Sequence, residues 1–200
     1  MKKNACSFLL GGLISLGLVA SAQAEGWYAG ASAGGAHVKD DAPDNGRSIN
    51  RDSSSTGYKL FTGYQINPQL AVEAAYADLG KETFNWRYGK NESGAGSIKL
   101  QSLSVAVVGS MPIADGIRAF GKLGAAQMQG KYHESWSQPG YAETIDIKKS
   151  KTVANYGLGL AYQIMPKLEV RAELEGYGKV KVEDLGIKSR LLSVGIGYQF

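Results

Sequence analysis

Cysteine and histidine are scarce in this sequence. The 200 residues include one cysteine, Cys6, and two histidines, His37 and His133. Because zinc and other transition metals are bound mainly through clusters of these side chains, so small a set forms no convincing metal site. Many of the 27 glycines recur at every second position instead of in a compact phosphate-binding loop. We therefore expect no metal and no cofactor.

Long apolar runs are absent after the first 24 residues. The N-terminal stretch combines basic Lys2 and Lys3, an apolar segment from Phe8 to Ala20, and the small-residue sequence Ala22-Gln23-Ala24. That order predicts a cleaved signal peptide over residues 1–24 and a mature domain over residues 25–200. Cys6 precedes the apolar segment, which argues against lipid attachment. Since a membrane helix needs about 20 apolar residues, the mature chain can cross a bilayer only as strands.

A strong charge of either sign is missing as well. Without Lys2 and Lys3, 20 basic and 18 acidic residues remain. The densest basic cluster, Lys148 to Lys151, falls in a polar stretch and is more typical of a solvated loop than of a polyanion site. We therefore expect no nucleic-acid partner.

The mature chain is rich in segments that alternate between large apolar residues and small or polar ones. From Tyr156 to Ile164 every second residue is large and apolar, and the residues between are glycine, alanine and glutamine. Leu192 to Phe200 repeats the pattern. Alternation indicates β-strands with one apolar face, and nine residues suit a tilted strand that crosses a membrane, which needs about 9 to 11.

Eight such segments can be counted, and an even number is what a single-chain outer-membrane barrel requires. The predicted strands are Gly26 to Val38, Gly57 to Ile66, Leu70 to Leu79, Gln101 to Met111, Ile117 to Met128, Val153 to Ile164, Leu168 to Tyr177, and Ile187 to Phe200. The register of the fourth strand stays open, because Ile98 and Leu100 have the opposite parity to Leu103 and Val105, and a β-bulge there would reconcile them.

The connections between these strands alternate in length. Tight turns contain Pro68, Pro112 and Pro166, where no ladder hydrogen-bond donor is needed. Long polar stretches, predicted to be loops, cover Lys39 to Thr56, Gly80 to Leu100 and Gln129 to Thr152. Short periplasmic turns and long extracellular loops are typical of outer-membrane barrels. The sequence thus predicts an all-β fold: an eight-stranded antiparallel up-and-down transmembrane β-barrel.

Aromatic residues fall near the turn-side ends of the predicted strands. An amphipathic ring favours the headgroup level of a bilayer, so these residues predict an interfacial girdle. Its members are Trp27, Tyr64, Tyr162, Tyr198 and Phe200.

Several segments resemble the transmembrane domain of OmpA and the opacity-type small barrels. They are Gly26 to Gly34, Gly63 to Pro68, the strand ending in Tyr76-Ala-Asp-Leu-Gly80, and Gly197-Tyr-Gln-Phe200. The resemblance covers essentially the whole mature chain and implies a place in the cell outer membrane. It also implies that Phe200 belongs to a signal read by the outer-membrane assembly machinery. Because the chain ends at this strand, we do not expect the peptidoglycan-binding domain of full-length OmpA.

The alternation also places charged residues inside the predicted barrel. Four are basic and four are acidic: Lys59, Arg118, Lys122, Arg171, Glu73, Glu169, Glu173 and Glu175. An isolated buried ion costs several kcal/mol, so the balanced signs predict an ion-pair network that fills the narrow lumen. By the resemblance, Glu73 and Arg171 match two members of the OmpA interior salt-bridge cluster, and Ala161 stands at a third, acidic position of it.

The leading interpretation is an integral outer-membrane barrel, not an enzyme, with a structural role and a surface-interaction role for its loops. Loop aromatic residues could contact host or neighbour surfaces; they are Trp86, Tyr88, Tyr132, Trp136 and Tyr141. Lys188 and Arg190 continue the lipid-facing side of the last strand. They could bind lipopolysaccharide phosphates in the outer-membrane lipid, or only extend to the interface.

Two alternatives stay open at this stage. One is a narrow porin-like pore for small ions or solutes, which the balanced interior charge does not favour. The other is a lipid A-modifying enzyme, because His133-Glu134-Ser135 has the His-x-Ser spacing that resembles the lipid A deacylase family, although Trp136 stands where that family has asparagine. Glu173 and Glu175 share a face as an acid/base pair would, but Arg171 lies on the same face and favours ion pairing. We therefore assign no catalytic residue.

Overall fold

The computed structural model describes residues 26–40, 48–52, 54–88, 92–138, 141–182 and 185–200. The predicted signal peptide lies outside these ranges. Near the ends of the long connections only the backbone is described. The side chains of the predicted loop residues Trp86, Tyr88, Trp136 and Tyr141 therefore also fall outside the described part.

The described chain is all β-structure. Its strands are β1 (Gly26–Asp40), β2 (Ser48–Asp52), β3 (Ser54–Asn67), β4 (Leu70–Tyr88), β5 (Glu92–Ala114), β6 (Ile117–Gln138), β7 (Tyr141–Met165), β8 (Leu168–Val182) and β9 (Leu185–Gln199). Within the described ranges, no helix has the length and apolarity needed to cross a bilayer.

The strands form one closed antiparallel ring. β1 pairs with β3, β3 pairs with β4, and from β4 to β9 each strand pairs with the next; β1 also pairs with β9, which completes the circle. β2 and β3 both pair with β4, β2 with its far end and β3 with its near end, so together they make one wall strand. The barrel therefore has eight wall strands, which confirms the fold class predicted from the sequence.

The two faces of the wall follow the alternation in the sequence. On β7, Leu158 and Leu160 face outward and are exposed, whereas Gly157 and Gly159, at the alternate positions, face the interior. The other strands repeat this arrangement with large aliphatic and aromatic residues. We call this outward apolar surface the apolar band. A closed barrel with such a band pairs its backbone groups within the wall, as a bilayer demands.

The chain makes three tight turns at one end of the barrel. β3 and β4 are joined by Pro68-Gln69, β5 and β6 by Asp115-Gly116, and β7 and β8 by Pro166-Lys167. Gly116 has a φ of 72°, which glycine adopts without the steric cost that a Cβ brings. Gly26 and Phe200 lie at the same end, where Phe200 N donates to Trp27 O.

The opposite end differs from the prediction of long loops. β4 and β5 stay paired up to Tyr88 and Glu92, and β6 and β7 up to Gln138 and Tyr141. The loops predicted over residues 80–100 and 129–152 are therefore mostly β-ladder, and that prediction was wrong. Beyond the apolar band the outward positions are polar or small, as Thr83 and Asn85 are on β4, so the apolar alternation disappears although the backbone pairing continues.

The bulge considered for the fourth strand does not occur in β5. The pairing of β5 with β6 runs without a shift from Ser93 to Pro112. Leu100 faces the interior together with Ser102, whereas Leu103 faces outward. The parity of Leu100 is therefore that of an ordinary interior residue. The register shift lies in the neighbouring β4, between Asp78 and Lys81, where Gly80 has a φ of 83°.

Candidate functional site

The interior of the barrel is the first candidate site, and it is layered. At the turn-side mouth Arg118 pairs with Glu169, and both side chains remain partly exposed. A pocket at this mouth is lined by Tyr28, Arg118 and Glu169 among others. Water therefore reaches this pair from the turn side, and the next layer begins behind Tyr28.

The second layer is built around Arg171. Its Nη1 donates to Glu73 Oε2 at 2.8 Å, and the Tyr28 hydroxyl donates to the same oxygen at 3.1 Å. The guanidinium carbon of Arg171 lies 4.4 Å from the ring centroids of both Phe61 and Phe120. A planar cation between two aromatic faces is held by cation–π attraction as well as by its carboxylate partner.

Glycines make room for these two rings. A Cβ at Gly30 would lie 2.2 Å from Phe61 Cζ, and one at Gly159 would lie 2.3 Å from Phe120 Cζ. Each would also meet backbone carbonyl oxygen. The small residues that the sequence places on the interior side of β1 and β7 are therefore a requirement of the ring packing.

The third layer is a four-residue ion cluster. Lys59 Nζ lies 2.5 Å from Glu173 Oε2 and 2.9 Å from Glu175 Oε2. Lys122 Nζ lies 2.6 Å from Glu173 Oε1 and 2.9 Å from Glu175 Oε1. Each lysine thus bridges both carboxylates, and all four side chains are at most 4 % exposed. Asn155 Nδ2 donates to Glu175 Oε1 at 2.8 Å and extends the network.

These two layers form one connected network, which we call the interior cluster. It contains the cations Lys59, Lys122 and Arg171 and the anions Glu73, Glu173 and Glu175, and Lys122 approaches Glu73 at 3.7 Å to link the layers. Three positive and three negative groups leave no net charge. The eight predicted interior residues therefore fall into two groups: six in the interior cluster, and Arg118 with Glu169 at the mouth.

An apolar layer above the cluster was missed by the sequence reasoning. It lies on the side away from the tight turns and consists of Ala36, Ala77, Leu79, Leu100, Ala126, Met128, Val153, Tyr177 and Leu191, all buried. We call it the apolar cap. Its sequence signal was the inward parity of Leu79, Leu100 and Leu191. Leu79 was predicted to end a strand and Leu100 to lie in a loop, whereas Leu191 fell inside the last predicted strand.

The outer wall carries the remaining predicted residues. Trp27, Tyr64, Tyr162, Tyr198 and Phe200 all face outward at the turn-side end, with Trp27 against Tyr64 and Tyr198 against Phe200 in edge-on contact. Their role as an interfacial girdle stays a prediction. Lys188 and Arg190 lie exposed on β9, where Arg190 is opposite His37 of β1.

The His-x-Ser motif lies on an outward strand face, not in a loop as predicted. His133 Nδ1 lies 2.7 Å from Asp146 Oδ1, and Ser135 Oγ lies 3.4 Å from Thr144 Oγ1. The side chains are exposed on the β6–β7 ladder. No cluster of three or more histidine, cysteine, aspartate or glutamate side chains suited to a metal occurs among the described residues.

Asp78 stabilises the register shift of β4 beyond the apolar band. Its Oδ1 accepts from Gly80 N at 3.0 Å, and its Oδ2 lies 3.0 Å from Lys99 Nζ and accepts from Gln101 at 3.3 Å. Partial burial raises the pKa of Asp78, but the hydrogen bonds from Lys99, Gly80 and Gln101 more than offset this. The pKa therefore lies below its ordinary value of 3.8.

Comparison with known proteins identifies a family. The model of the OmpA-like transmembrane domain matches residues 22–200. Outer membrane protein P5 of Haemophilus influenzae is 30 % identical, over 92 % of this chain and 54 % of that protein. Outer membrane protein A of Salmonella typhi is 28 % identical, over 87 % of this chain and 48 % of that protein. The chain thus spans about half the length of the curated relatives it matches.

Solved structures share the fold. The crystal structure of Neisserial surface protein A superposes with a TM-score of 0.55 at 19 % identity, covering 87 % of this chain and 97 % of the other. At that identity the likeness concerns the barrel architecture alone.

Proposed function

Because this chain belongs to the family of OmpA-like transmembrane domains and is an outer-membrane β-barrel, we propose that it acts at the cell surface through its projecting strands and not by passage of solutes through its lumen. The observation that carries this proposal is the filling of the interior. The interior cluster occupies the middle of the barrel, and the apolar cap lies above it. An ion would have to displace paired charges and then cross an apolar layer.

The part of the wall beyond the apolar band offers a large surface for contacts. β4 and β5 continue there as a paired ladder, from the pair Lys81 and Lys99 to the last residues that join them. β6 and β7 continue beside them in the same way from the pair Lys131 and Lys148. We call these four strand ends the projecting sheet. Seven residue steps from Lys81 to Tyr88 span about 23 Å at the rise of a strand. Phe84 of β4 stacks on Tyr132 of β6 at 5.8 Å, which holds the sheet together.

Trimming the projecting sheet tests the proposal. In the trimmed variant an Asn-Gly turn replaces residues 83–97 and another replaces residues 133–146. The remaining ends are already cross-strand partners, Glu82 with Ile98 and Tyr132 with Ile147, so each two-residue turn preserves the register. Heat-modifiable gel mobility checks that the barrel still folds, and Asp115→Asn in a tight turn is the control.

The readout is attachment of bacteria carrying each variant to a cultured epithelial monolayer. We expect the trimmed variant to reach the outer membrane in normal amounts and to lose attachment, whereas Asp115→Asn retains it. Equal attachment by the trimmed and the unaltered barrel would contradict a surface-interaction role for the projecting sheet.

The proposal includes recognition of Phe200 by the outer-membrane assembly machinery. Phe200 ends β9 on the outward apolar face beside Tyr198. Phe200→Ala should lower the amount of folded barrel in isolated outer membranes during synthesis in cells. It should leave refolding of the purified chain into detergent nearly unchanged. Equal loss in both settings would point to a purely structural role of the ring.

We propose no enzymatic activity. The contacts of Ser135 support this, because its Oγ lies beside Thr144 Oγ1 and is not hydrogen-bonded to His133, so the imidazole is not placed to activate the hydroxyl. Ser135→Ala should leave the mass spectrum of lipid A unchanged in cells that express the barrel. A difference between the two spectra would revive the lipid A-modifying alternative.

A narrow pore is the second candidate, and the solvent-open mouth around Arg118 and Glu169 is the observation in its favour. Conductance measurements on the unaltered protein separate it from the closed barrel.

A further inference from the structure

Four lysines stand in one cross-strand row at the base of the projecting sheet. Lys81 of β4 is opposite Lys99 of β5, Lys99 is opposite Lys131 of β6, and Lys131 is opposite Lys148 of β7. Directly opposed residues of antiparallel strands share a face, with Cβ atoms about 4.5 to 5.5 Å apart. We call Lys81, Lys99, Lys131 and Lys148 the lysine row.

The lysine row faces outward. Lys81, Lys131 and Lys148 are exposed, and Lys99 is partly exposed. On β5 and β6 the row has the parity of Leu103 and Leu123, which belong to the apolar band. Gln101 separates Lys99 from Leu103, and Gln127 and Gln129 separate Lys131 from the band. The row therefore begins where the apolar wall ends, and it faces the polar layer of the outer leaflet.

The row lacks internal neutralisation. Among the described residues only Lys99 has an acidic partner, Asp78, at 3.0 Å. The outward acid next to Lys148 along β7 is Asp146, which is hydrogen-bonded to His133. Like charges directly opposed across strands repel and destabilise the pairing. Lys81, Lys131 and Lys148, which have no acidic partner among the described residues, would be stabilised by an anion from outside the chain.

We propose that the lysine row binds the phosphate groups of anionic glycolipid headgroups in the outer leaflet. Charge complementarity calls for an anion, and the position directly beyond the apolar band favours a lipid phosphate over a ligand that arrives from the medium. The site rests on the outer-membrane location, but it is independent of the attachment proposed for the projecting sheet, because the trimmed variant retains all four lysines. It is also distinct from Lys188 and Arg190 on β9.

Two double variants with the same change in charge test this proposal. Lys131→Gln/Lys148→Gln removes half of the lysine row. Lys149→Gln/Lys151→Gln removes two lysines of β7 that have the opposite parity and lie outside the row. The affinity of each refolded barrel in detergent is measured for bisphosphorylated lipid A, for the same lipid A without phosphates, and for soluble sulfated polysaccharide.

We expect the unaltered barrel to bind the bisphosphorylated lipid more tightly than the dephosphorylated one. A lysine near an anionic surface contributes about fivefold in affinity. The Lys131→Gln/Lys148→Gln variant lacks two lysines of the row, so it should bind phosphorylated lipid A about 25-fold more weakly. The affinity of the control variant, Lys149→Gln/Lys151→Gln, for phosphorylated lipid A should stay within about threefold of that of the unaltered barrel, because its missing charges act only at long range.

Equal weakening in both double variants would overturn the proposal in favour of a net-charge effect. A row-dependent loss of binding to sulfated polysaccharide, with lipid A binding unchanged, would also overturn it and assign the row to an external polyanion. The substituted side chains are exposed, and heat-modifiable mobility verifies the fold of every variant before titration. Lys81→Gln/Lys99→Gln provides a second removal of half the row if the first fails to fold.

Discussion

The charged residues of the interior cluster are buried, so each depends on its partners. Lys122 contacts both Glu173 and Glu175 and approaches Glu73. Lys122→Met keeps a long side chain but leaves these carboxylates one cation short. Loss of one member of a buried ion pair typically destabilises a protein by about 3 to 5 kcal/mol. We expect a loss of that size in urea unfolding of the refolded barrel, followed by heat-modifiable gel mobility.

Lys151→Met is the matched control, because Lys151 of β7 is exposed. Its change in the free energy of unfolding should stay within about 0.5 kcal/mol, as for most surface substitutions. A Lys122→Met barrel as stable as this control would contradict the account of the interior cluster.

Asp78 makes stability depend on pH. A carboxyl whose folded pKa lies below its unfolded value stabilises the fold above the unfolded pKa, and this contribution is lost as pH falls through the folded pKa. The unaltered barrel should therefore be more stable than Asp78→Asn at pH 7 and pH 5, and the difference should shrink below about pH 4. The midpoints of urea unfolding at pH 7, pH 5 and pH 3 measure this difference, with Asp115→Asn as the control. A difference that stays constant down to pH 3 would contradict the hydrogen-bonded carboxylate at the register shift.

The strands themselves are constrained by how closely they approach one another. A Cβ on Gly34 of β1 would lie 1.8 Å from Leu192 O and 2.5 Å from Ser193 Cα, which are backbone atoms of β9. Neighbouring Gly35 has nothing within 4 Å of such a Cβ. Gly34→Ala should therefore destabilise the barrel by about 3 kcal/mol or more, at the upper end for overpacking, or prevent folding.

Gly35→Ala should leave unfolding by urea within about 0.5 kcal/mol of the unaltered barrel. Comparable folding yield and stability for the two alanine variants would show that the close approach of β1 and β9 is not a constraint.

Strand existence was predictable from the sequence, but strand ends were not. Inside the apolar band the alternation identified each wall strand, as Tyr156 to Ile164 does in β7. Beyond the band the ladder of β4 and β5 continues through polar residues, and no apolar alternation distinguishes it from a loop. The register shift at Gly80 was missed for a related reason: the predicted third strand ended at Leu79, and residues 80–100 were predicted to be a loop.

Contacts that depend on the register between strands could not be predicted from the sequence, because the alternation pattern describes each strand separately. Parity alone placed Lys59 and Glu173 inside the barrel, but their 2.5 Å contact depends on the stagger between β3 and β8. The apolar cap and the lysine row have the same origin. Lys81, Lys99, Lys131 and Lys148 are scattered along the sequence, and only the pairing of four strands aligns them.

At the scale of the whole molecule, the central claim is that a filled barrel supports a projecting sheet at the cell surface. The small diameter of the barrel favours a filled interior, since an eight-stranded barrel is just wide enough inside for its own side chains. The interior cluster and the apolar cap use that space in successive layers. Water enters from the turn side as far as the pair of Arg118 and Glu169.

Single-channel recording of the refolded, unaltered barrel in planar bilayers tests this claim most directly. Insertion is verified in the same preparation by heat-modifiable gel mobility. The account predicts that inserted barrels show no steady conductance steps, because the interior cluster and the apolar cap interrupt any water-filled path. Long-lived, reproducible open-channel steps from the unaltered protein would contradict a closed lumen and support the pore.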